Sequence, residues 1–160
     1  MEILRRYYAG MADRTRGKCD DDVVRKLEIV MQQAGVTPEI CPAVAACLQK
    51  AEETGAPAGA MVLPDGSVVT GKTSSLLGAS AALLLNALKA MAGIDHKLDL
   101  IPASVIEPIS RLKTGNLGHR NPRLHSDEVL IALAISGLTN PLAAMVQEKL
   151  SSLRGCDAHF

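Results

Sequence analysis

Six basic side chains lie between residues 111 and 125, and this stretch contains no acidic residue. They are Arg111, Lys113, His119, Arg120, Arg123 and His125. Arginine offers planar, bidentate donors to phosphate or carboxylate, and Ser126 with the amides that open the following helix would add further donors. The segment therefore predicts an anion site of phosphate or nucleotide type. The alternative is a solvated loop whose charges pair with Asp127, Glu128 or another domain.

A second stretch satisfies the pattern G-x-x-x-x-G-K-[ST] of a nucleotide-binding loop, Gly66-Ser-Val-Val-Thr-Gly71-Lys72-Thr73. Such a loop curls its amides around phosphates, and its lysine reaches the terminal ones. The β-branched interior of this stretch resists that compact turn. We therefore treat Gly66, Gly71, Lys72 and Thr73 as a weak nucleotide-loop candidate and favour a β-hairpin.

Cysteine and histidine residues form no recognisable metal motif. Cys19, Cys41, Cys47 and Cys156 contain no C-x-x-C pair, the four histidines are scattered, and H-E-x-x-H is absent. We expect no metal and no cofactor. The same spacing favours reduced, structural thiols in a cytoplasmic protein.

Composition narrows the classes of partner. The 160 residues carry 17 basic and 17 acidic side chains, and the aromatic residues are Tyr7, Tyr8 and Phe160. A neutral chain without stacking platforms disfavours nucleic acid as a partner. The N-terminus has no apolar h-region, and the low-charge stretch 73–88 is short for a membrane span, so we expect no membrane association.

Hydrophobic periodicity and turn residues predict a helix-rich α/β fold with helices packed on both faces of a sheet. The predicted helices cover residues 2–13, 20–35, 42–53, 75–92, 104–113 and 126–138, with a further one opening at 140–141. The predicted β segments are a hairpin at 58–71, a strand at 98–101 and a strand beginning within 154–160. We divide the chain into a helical subdomain, 1–55, and an α/β subdomain, 56–160.

Four long stretches resemble the C-terminal region of a bacterial family of unknown function. They read EILRRYY at 2–8, GKTSSLLGASAALLLNALK at 71–89, NPRLHSDEVLIAL at 121–133 and LRGC at 153–156. The resemblance covers essentially the whole chain and implies that it is a fragment, truncated at its C-terminal end. The family's N-terminal region would then be a partner. Some members are labelled ATP-dependent zinc proteases, a label for which this segment offers no zinc-binding motif.

The order of segments is also similar to the cytidine-deaminase scaffold, which would make residues 56–160 a small three-layer α/β subdomain. The hairpin precedes a helix that opens with Gly78-Ala79-Ser80, and EPISRL at 107–112 follows about thirty residues later. In this resemblance Gly78 stands in place of a zinc ligand and Ser80 in place of the proton-shuttling glutamate. Ile109 and Leu112 replace the two thiolates. The resemblance thus implies the scaffold without deaminase chemistry.

Three functions remain open at this stage. The first is a non-catalytic ligand-binding or scaffolding segment that binds a phosphorylated small molecule through the basic loop. The second is part of a hydrolase or nucleotide-dependent enzyme, active only together with the missing N-terminal region. The third is a structural domain that forms a homo-oligomer through its very apolar helices.

Overall fold

The computed structural model describes residues 2–160, and helices account for most of this range. The helices are α1 (Glu2–Thr15), α2 (Asp21–Gln33), α3 (Pro42–Thr54), α4 (Ala79–Met91), α5 (Ala103–Arg111), α6 (Ser126–Ser136) and α7 (Pro141–Gln147). Short 3-10 turns cover Pro38–Ile40 and Leu150–Leu153, and a π-helical turn, Leu112–Asn116, continues α5. None of the described helices is long and apolar enough to cross a membrane.

The sheet has three antiparallel strands in the order β2–β1–β3. They are β1 (Ala58–Val62), β2 (Val68–Lys72) and β3 (Ala158–His159). The predicted hairpin is confirmed, and its turn is closed by Asp65, whose Oδ1 accepts from Ser67 N at 2.9 Å and Ser67 Oγ at 2.6 Å. Gly66 supplies the positive φ of 83° that this turn requires.

Helices cover both faces of the sheet, as the sequence predicts. On one face Ala60 packs in a cluster with Val44 and Cys47 of α3. On the other face Gly71 lies against α4 so closely that a Cβ there would come 2.2 Å from Leu83 N. The fold is therefore a mixed α/β arrangement in which α3 and α4 enclose the hairpin.

A second core lies on the far side of α4. Leu88 of α4 is packed there with Leu133 of α6 and Val146 of α7, all of them fully buried. This position explains why α4 is apolar nearly all round, because it is covered by the sheet on one side and by helices on the other. By contrast, α6 leaves an apolar outer stripe exposed, with Ile131 at 61% and Ile135 at 48%, and Leu138 in the turn after α6 is 84% exposed.

Two boundaries differ from the prediction. Residues 98–101 form an irregular, bent segment and no strand, because Leu100 and Ile101 are buried in the second core and no neighbouring strand pairs with them. The helix predicted from residue 75 begins at Ala79, because the preceding loop pairs with residue 124. The C-terminal strand falls inside the predicted range, and the division of the chain at residue 55 stays a prediction.

Candidate functional site

Two helix N-termini lie side by side on the surface, and we call this feature the paired helix starts. The segments that precede α4 and α6 form a single parallel bridge between Leu77 and Leu124. Leu124 N donates to Leu76 O at 2.9 Å, and Gly78 N donates to Leu124 O at 3.0 Å. Since α4 begins after Gly78 and α6 after His125, both helices start beside this bridge.

Three features shape the two segments, and one of them is a further contact between the segments. Leu124 is completely buried and anchors its segment in the second core. Ser74 Oγ accepts from Leu77 N at 3.0 Å and so shapes the loop before α4. The Arg123 guanidinium then joins the segments, because its Nε donates to Ser74 O at 2.6 Å. The bridge is thus held by one apolar anchor and by polar contacts on both sides.

Lys113 is the exception among the predicted anion-binding residues, because it is buried. Its side chain is only 5% exposed, and Nζ donates to Glu128 Oε2 at 2.8 Å and to Arg123 O at 2.7 Å. The Glu128 carboxylate also accepts from His125 N at 2.8 Å. Burial acts to raise the pKa of Glu128, but the contacts with Lys113 and His125 outweigh it and lower that pKa below its usual value.

Lys113 therefore stabilises the loop and the start of α6 through these contacts, and its ammonium group is not available to an anion. The alternative interpretation, in which loop charges pair with Glu128, holds for this one residue. Asn121 organises the loop further: its Oδ1 accepts from Arg123 N at 3.1 Å, and its Nδ2 lies 3.1 Å from His125 Nε2. Arg111 is exposed at the end of α5, and His119 and Arg120 are exposed on the loop.

A shallow cavity of about 700 Å³ opens between the paired helix starts. It is lined by Thr73, Gly78, Ala79, Ser80, His125, Ser126 and Asp127, with Pro57 and Phe160 at its border. The first amides of a helix have no partner in its own main chain. At α6 a capping box uses the amides of His125 and Glu128, which leaves those of Ser126 and Asp127. Together with the first amides of α4, they form two sets of N–H donors beside this space. Asp127 is the one acidic residue of the lining and opposes the positive potential of the helix starts.

The weak nucleotide-loop candidates are separated by the hairpin. Gly66 lies at the tip of the turn, Gly71 lies inside β2 and Lys72 ends that strand. The main chain of Gly71 faces its partner Gly59, and Thr73 N donates to Pro57 O at 2.8 Å. These amides are used by the sheet and do not form a phosphate cradle. Of the four residues, only Thr73 reaches the paired helix starts.

The structure places the deaminase-like segments differently from the resemblance. Gly78 and Ser80 stand at the start of α4 as expected. Glu107 and Pro108 lie inside α5, within the helix predicted at 104–113. The helix start beside α4 is that of α6, because the bridge at Leu124 places it there. Within residues 2–160, no group of three or more His, Cys, Asp or Glu side chains is positioned to hold a metal ion.

The four cysteines are free, and two of them are core residues. Cys41 and Cys47 are buried beside β1, and Cys47 Sγ donates to Ala58 O at 3.4 Å. Burial raises the pKa of the Cys47 thiol, which keeps it protonated and unreactive.

Sequence reasoning missed a second basic region. Lys50, Lys72, Lys89 and Lys97 line one groove of about 940 Å³ beside β2. These lysines come from α3, β2, α4 and the loop after α4, so no short window of the sequence contains them. Only the motif around Lys72 offered a signal, and it pointed to different chemistry.

Comparison with known proteins relates the chain to uncharacterised bacterial proteins. Residues 39–160 match the C-terminal part of the domain of unknown function DUF1846. A UPF0371 protein of Corynebacterium efficiens is 53% identical over 158 residues, and a UPF0371 protein of Streptococcus thermophilus is 49% identical over 158 residues. Each alignment covers 99% of this chain and 32% of the relative. The chain thus spans about a third of the length of these curated relatives.

Proposed function

The chain belongs to the DUF1846 family, and on that premise we propose that it is a non-catalytic ligand-binding or scaffolding segment of a longer, cytoplasmic bacterial protein. Its ligand is a phosphorylated small molecule, bound between the starts of α4 and α6. The N-terminal region of the full-length protein is the partner that completes this function. The free thiols of the described residues support a reducing compartment.

The observation that carries this proposal is the parallel bridge between Leu77 and Leu124. One helix start already favours an anion through its free amides and its dipole. Two starts beside one cavity add their donors and their potentials at the same place. The α4 and α6 helices have 13 and 11 residues, so each has a developed dipole.

Side chains add charge and direction to these amides. Arg123 does not line the cavity itself but lies two residues before His125, which does. Its Nε donates to Ser74 O, and its two terminal nitrogens remain as planar donors of the kind that suits phosphate. His125 lines the cavity and is the residue that caps α6. Arg120 lies on the same loop and raises the local potential without a contact that fixes it.

The geometry also supports a binding role over catalysis. Thr73, Ser80 and Ser126 are the hydroxyl groups of the cavity, and Asp127 its only carboxylate. His125 Nε2 faces Asn121 Nδ2, which supplies neither a nucleophile nor an acid. We retain the deaminase-like scaffold as part of the proposal on the strength of the hairpin followed by α4. Hydrolase chemistry of the kind implied by the zinc-protease label would need residues outside this chain.

The proposal is tested by calorimetric titration of the chain with inorganic phosphate, AMP and ATP. Arg123→Ala is expected to weaken phosphate binding about tenfold, as loss of a charge-assisted hydrogen bond does. Arg120→Ala is expected to weaken it about threefold, because an exposed charge contributes less. Arg25→Ala, an exposed arginine on α2, is the matched control and should leave affinity unchanged. Equal affinity in all four proteins, or no binding at all, would falsify the proposal.

A second candidate function is self-association through α6. Its outer face exposes Ile131 and Ile135, which are one helical turn apart, and Leu138 is exposed in the turn that follows the helix. Light scattering on the purified chain tests this role, with Leu138→Glu as the variant. A dimer that the variant dissociates supports self-association, and a monomer at all concentrations excludes it.

A further inference from the structure

The β2 strand forms an open edge of the sheet. It pairs with β1 on one side, in a register that joins Gly59 with Gly71 and Ala60 with Thr70. Leu63 N donates to Ser67 O at 2.8 Å and Thr73 N donates to Pro57 O at 2.8 Å, so the odd-numbered residues face β1. In an antiparallel pair the intervening residues then turn their N–H and C=O groups away. These residues are Val68, Thr70 and Lys72.

The groove of about 940 Å³ lies along this edge. Lys50 of α3 lines one wall, and Asn86 and Lys89 of α4 line the other. Asn86 Nδ2 donates to Thr70 O at 2.9 Å. The carbonyl has a second lone pair, so this contact leaves Thr70 able to accept again. The groove therefore offers both the main-chain pattern and the room for one more strand.

The charge of the groove selects what can occupy it. Four lysines line it, and Asp95 is the single acidic residue of the lining. Lys50 pairs with Glu53 at 3.3 Å in an exposed contact, which neutralises it only weakly. Lys89 is 7% exposed and donates to a neutral acceptor, His96 O, at 3.0 Å, so no direct ion pair cancels its charge. Pairing with the same edge of a second copy would bring two such sets of lysines close together, which disfavours self-addition.

We propose that β2 binds an extended acidic segment of a partner protein, which adds to the sheet as a strand. Main-chain hydrogen bonds from Val68, Thr70 and Lys72 would hold the segment, as in other cases of strand addition. Aspartate or glutamate side chains at alternate positions would meet the lysines of the groove. This site is separate from the cavity between the paired helix starts, and it takes a peptide in place of a small anion.

Three fluorescent seven-residue peptides test the proposal by fluorescence anisotropy. The first alternates glutamate with valine or threonine. The second replaces glutamate with glutamine. The third keeps the glutamates and carries N-methyl groups on alternate amides, which removes donors without changing charge. We expect binding of the first peptide only. Equal binding of the N-methylated peptide would show simple charge attraction and overturn strand addition, and so would an absence of binding by all three.

Variants of the chain separate the two components of binding. Thr70→Pro removes an outward N–H and leaves the bonds to β1, which an edge strand tolerates. It is expected to abolish binding while the lysines remain. Lys72→Gln combined with Lys97→Gln is expected to weaken binding about tenfold, and Lys26→Gln on α2 is the matched control. Unchanged affinity in the double lysine variant would overturn the proposal even if the proline variant fails to fold.

Discussion

The basic loop and the lysine groove both concentrate positive charge, but the buried lysine of each has a different kind of hydrogen-bond partner. In the loop, Lys113 is buried against the Glu128 carboxylate, which cancels its charge and fixes the start of α6. In the groove, Lys89 is almost as buried but donates to a neutral carbonyl. A carboxylate partner neutralises a buried lysine and makes the pair part of the structure. Without such a partner, the positive charge of the lysine can still attract a ligand.

Among the substitutions considered, Lys113→Met should cause the largest loss of stability. The substitution leaves the Glu128 carboxylate partly buried without its cation, and we expect the free energy of unfolding to fall by about 3 kcal/mol. Urea denaturation measures the loss. The double variant Lys113→Met, Glu128→Gln removes both charges and should recover most of it. A single variant as stable as the native chain would contradict the structural role given to Lys113.

Gly71→Ala tests how closely β2 must approach α4 for the groove to exist. A Cβ at this position would come 2.2 Å from Leu83 N, which is main chain and cannot move aside alone. We expect the free energy of unfolding to fall by about 2 kcal/mol. Gly115→Ala is the matched control, since nothing lies within 4 Å of its added Cβ. Equal stability of the two variants would mean that the strand is not seated on α4 in this way.

Lys89→Met tests whether a buried lysine without a carboxylate partner contributes less to stability than Lys113 does. Burial lowers the pKa of Lys89 below 10.5, although Asp99 and Asp95 act to raise it. Between the lowered pKa and 10.5 the unfolded chain binds more protons, so stability rises with pH across that interval. The variant should lose this rise and should change stability at pH 7 by less than about 1 kcal/mol, because only a neutral carbonyl loses its donor. Denaturation curves of both proteins measured from pH 7 to pH 11 test this prediction. A pH dependence of stability that the substitution leaves unaltered would contradict the role given to Lys89.

Asp127→Asn gives the smallest expected effect, at the paired helix starts. The Asp127 carboxylate lines the cavity and competes with an anion for the potential of α6. Its removal should strengthen phosphate binding about threefold, as measured by calorimetry. Asp22→Asn, in the first turn of α2, should have no effect. Weaker binding in the Asp127 variant would place the anion elsewhere.

Local signals predicted much of the fold. The Pro64–Ser67 turn with β-branched neighbours gave the hairpin, and Ser126-Asp127-Glu128 gave the start of α6. Where tertiary packing decides, the prediction was wrong. Leu100 and Ile101 resemble a buried strand but fill a gap in the second core. Apolar periodicity alone does not distinguish these two cases.

The candidate site was predictable only where its residues are contiguous. Arg123 and His125 stood out because the basic loop is a single stretch. The bridge between Leu77 and Leu124 joins segments that are distant in the chain, so no local sequence pattern predicts it. The lysine groove was even less predictable from the sequence, since Lys50 and Lys97 lie on different elements and line one groove only after folding.

The central claim is that an anion binds where α4 and α6 begin together. A titration of the ¹⁵N-labelled chain with inorganic phosphate, followed through its amide resonances, tests this most directly. We predict saturable shifts concentrated at Ala79, Ser80, Ser126 and Asp127, which the Arg123→Ala variant weakens. Shifts confined to the lysine groove at Lys72, Lys89 and Lys97, or the absence of saturable shifts, would contradict the claim.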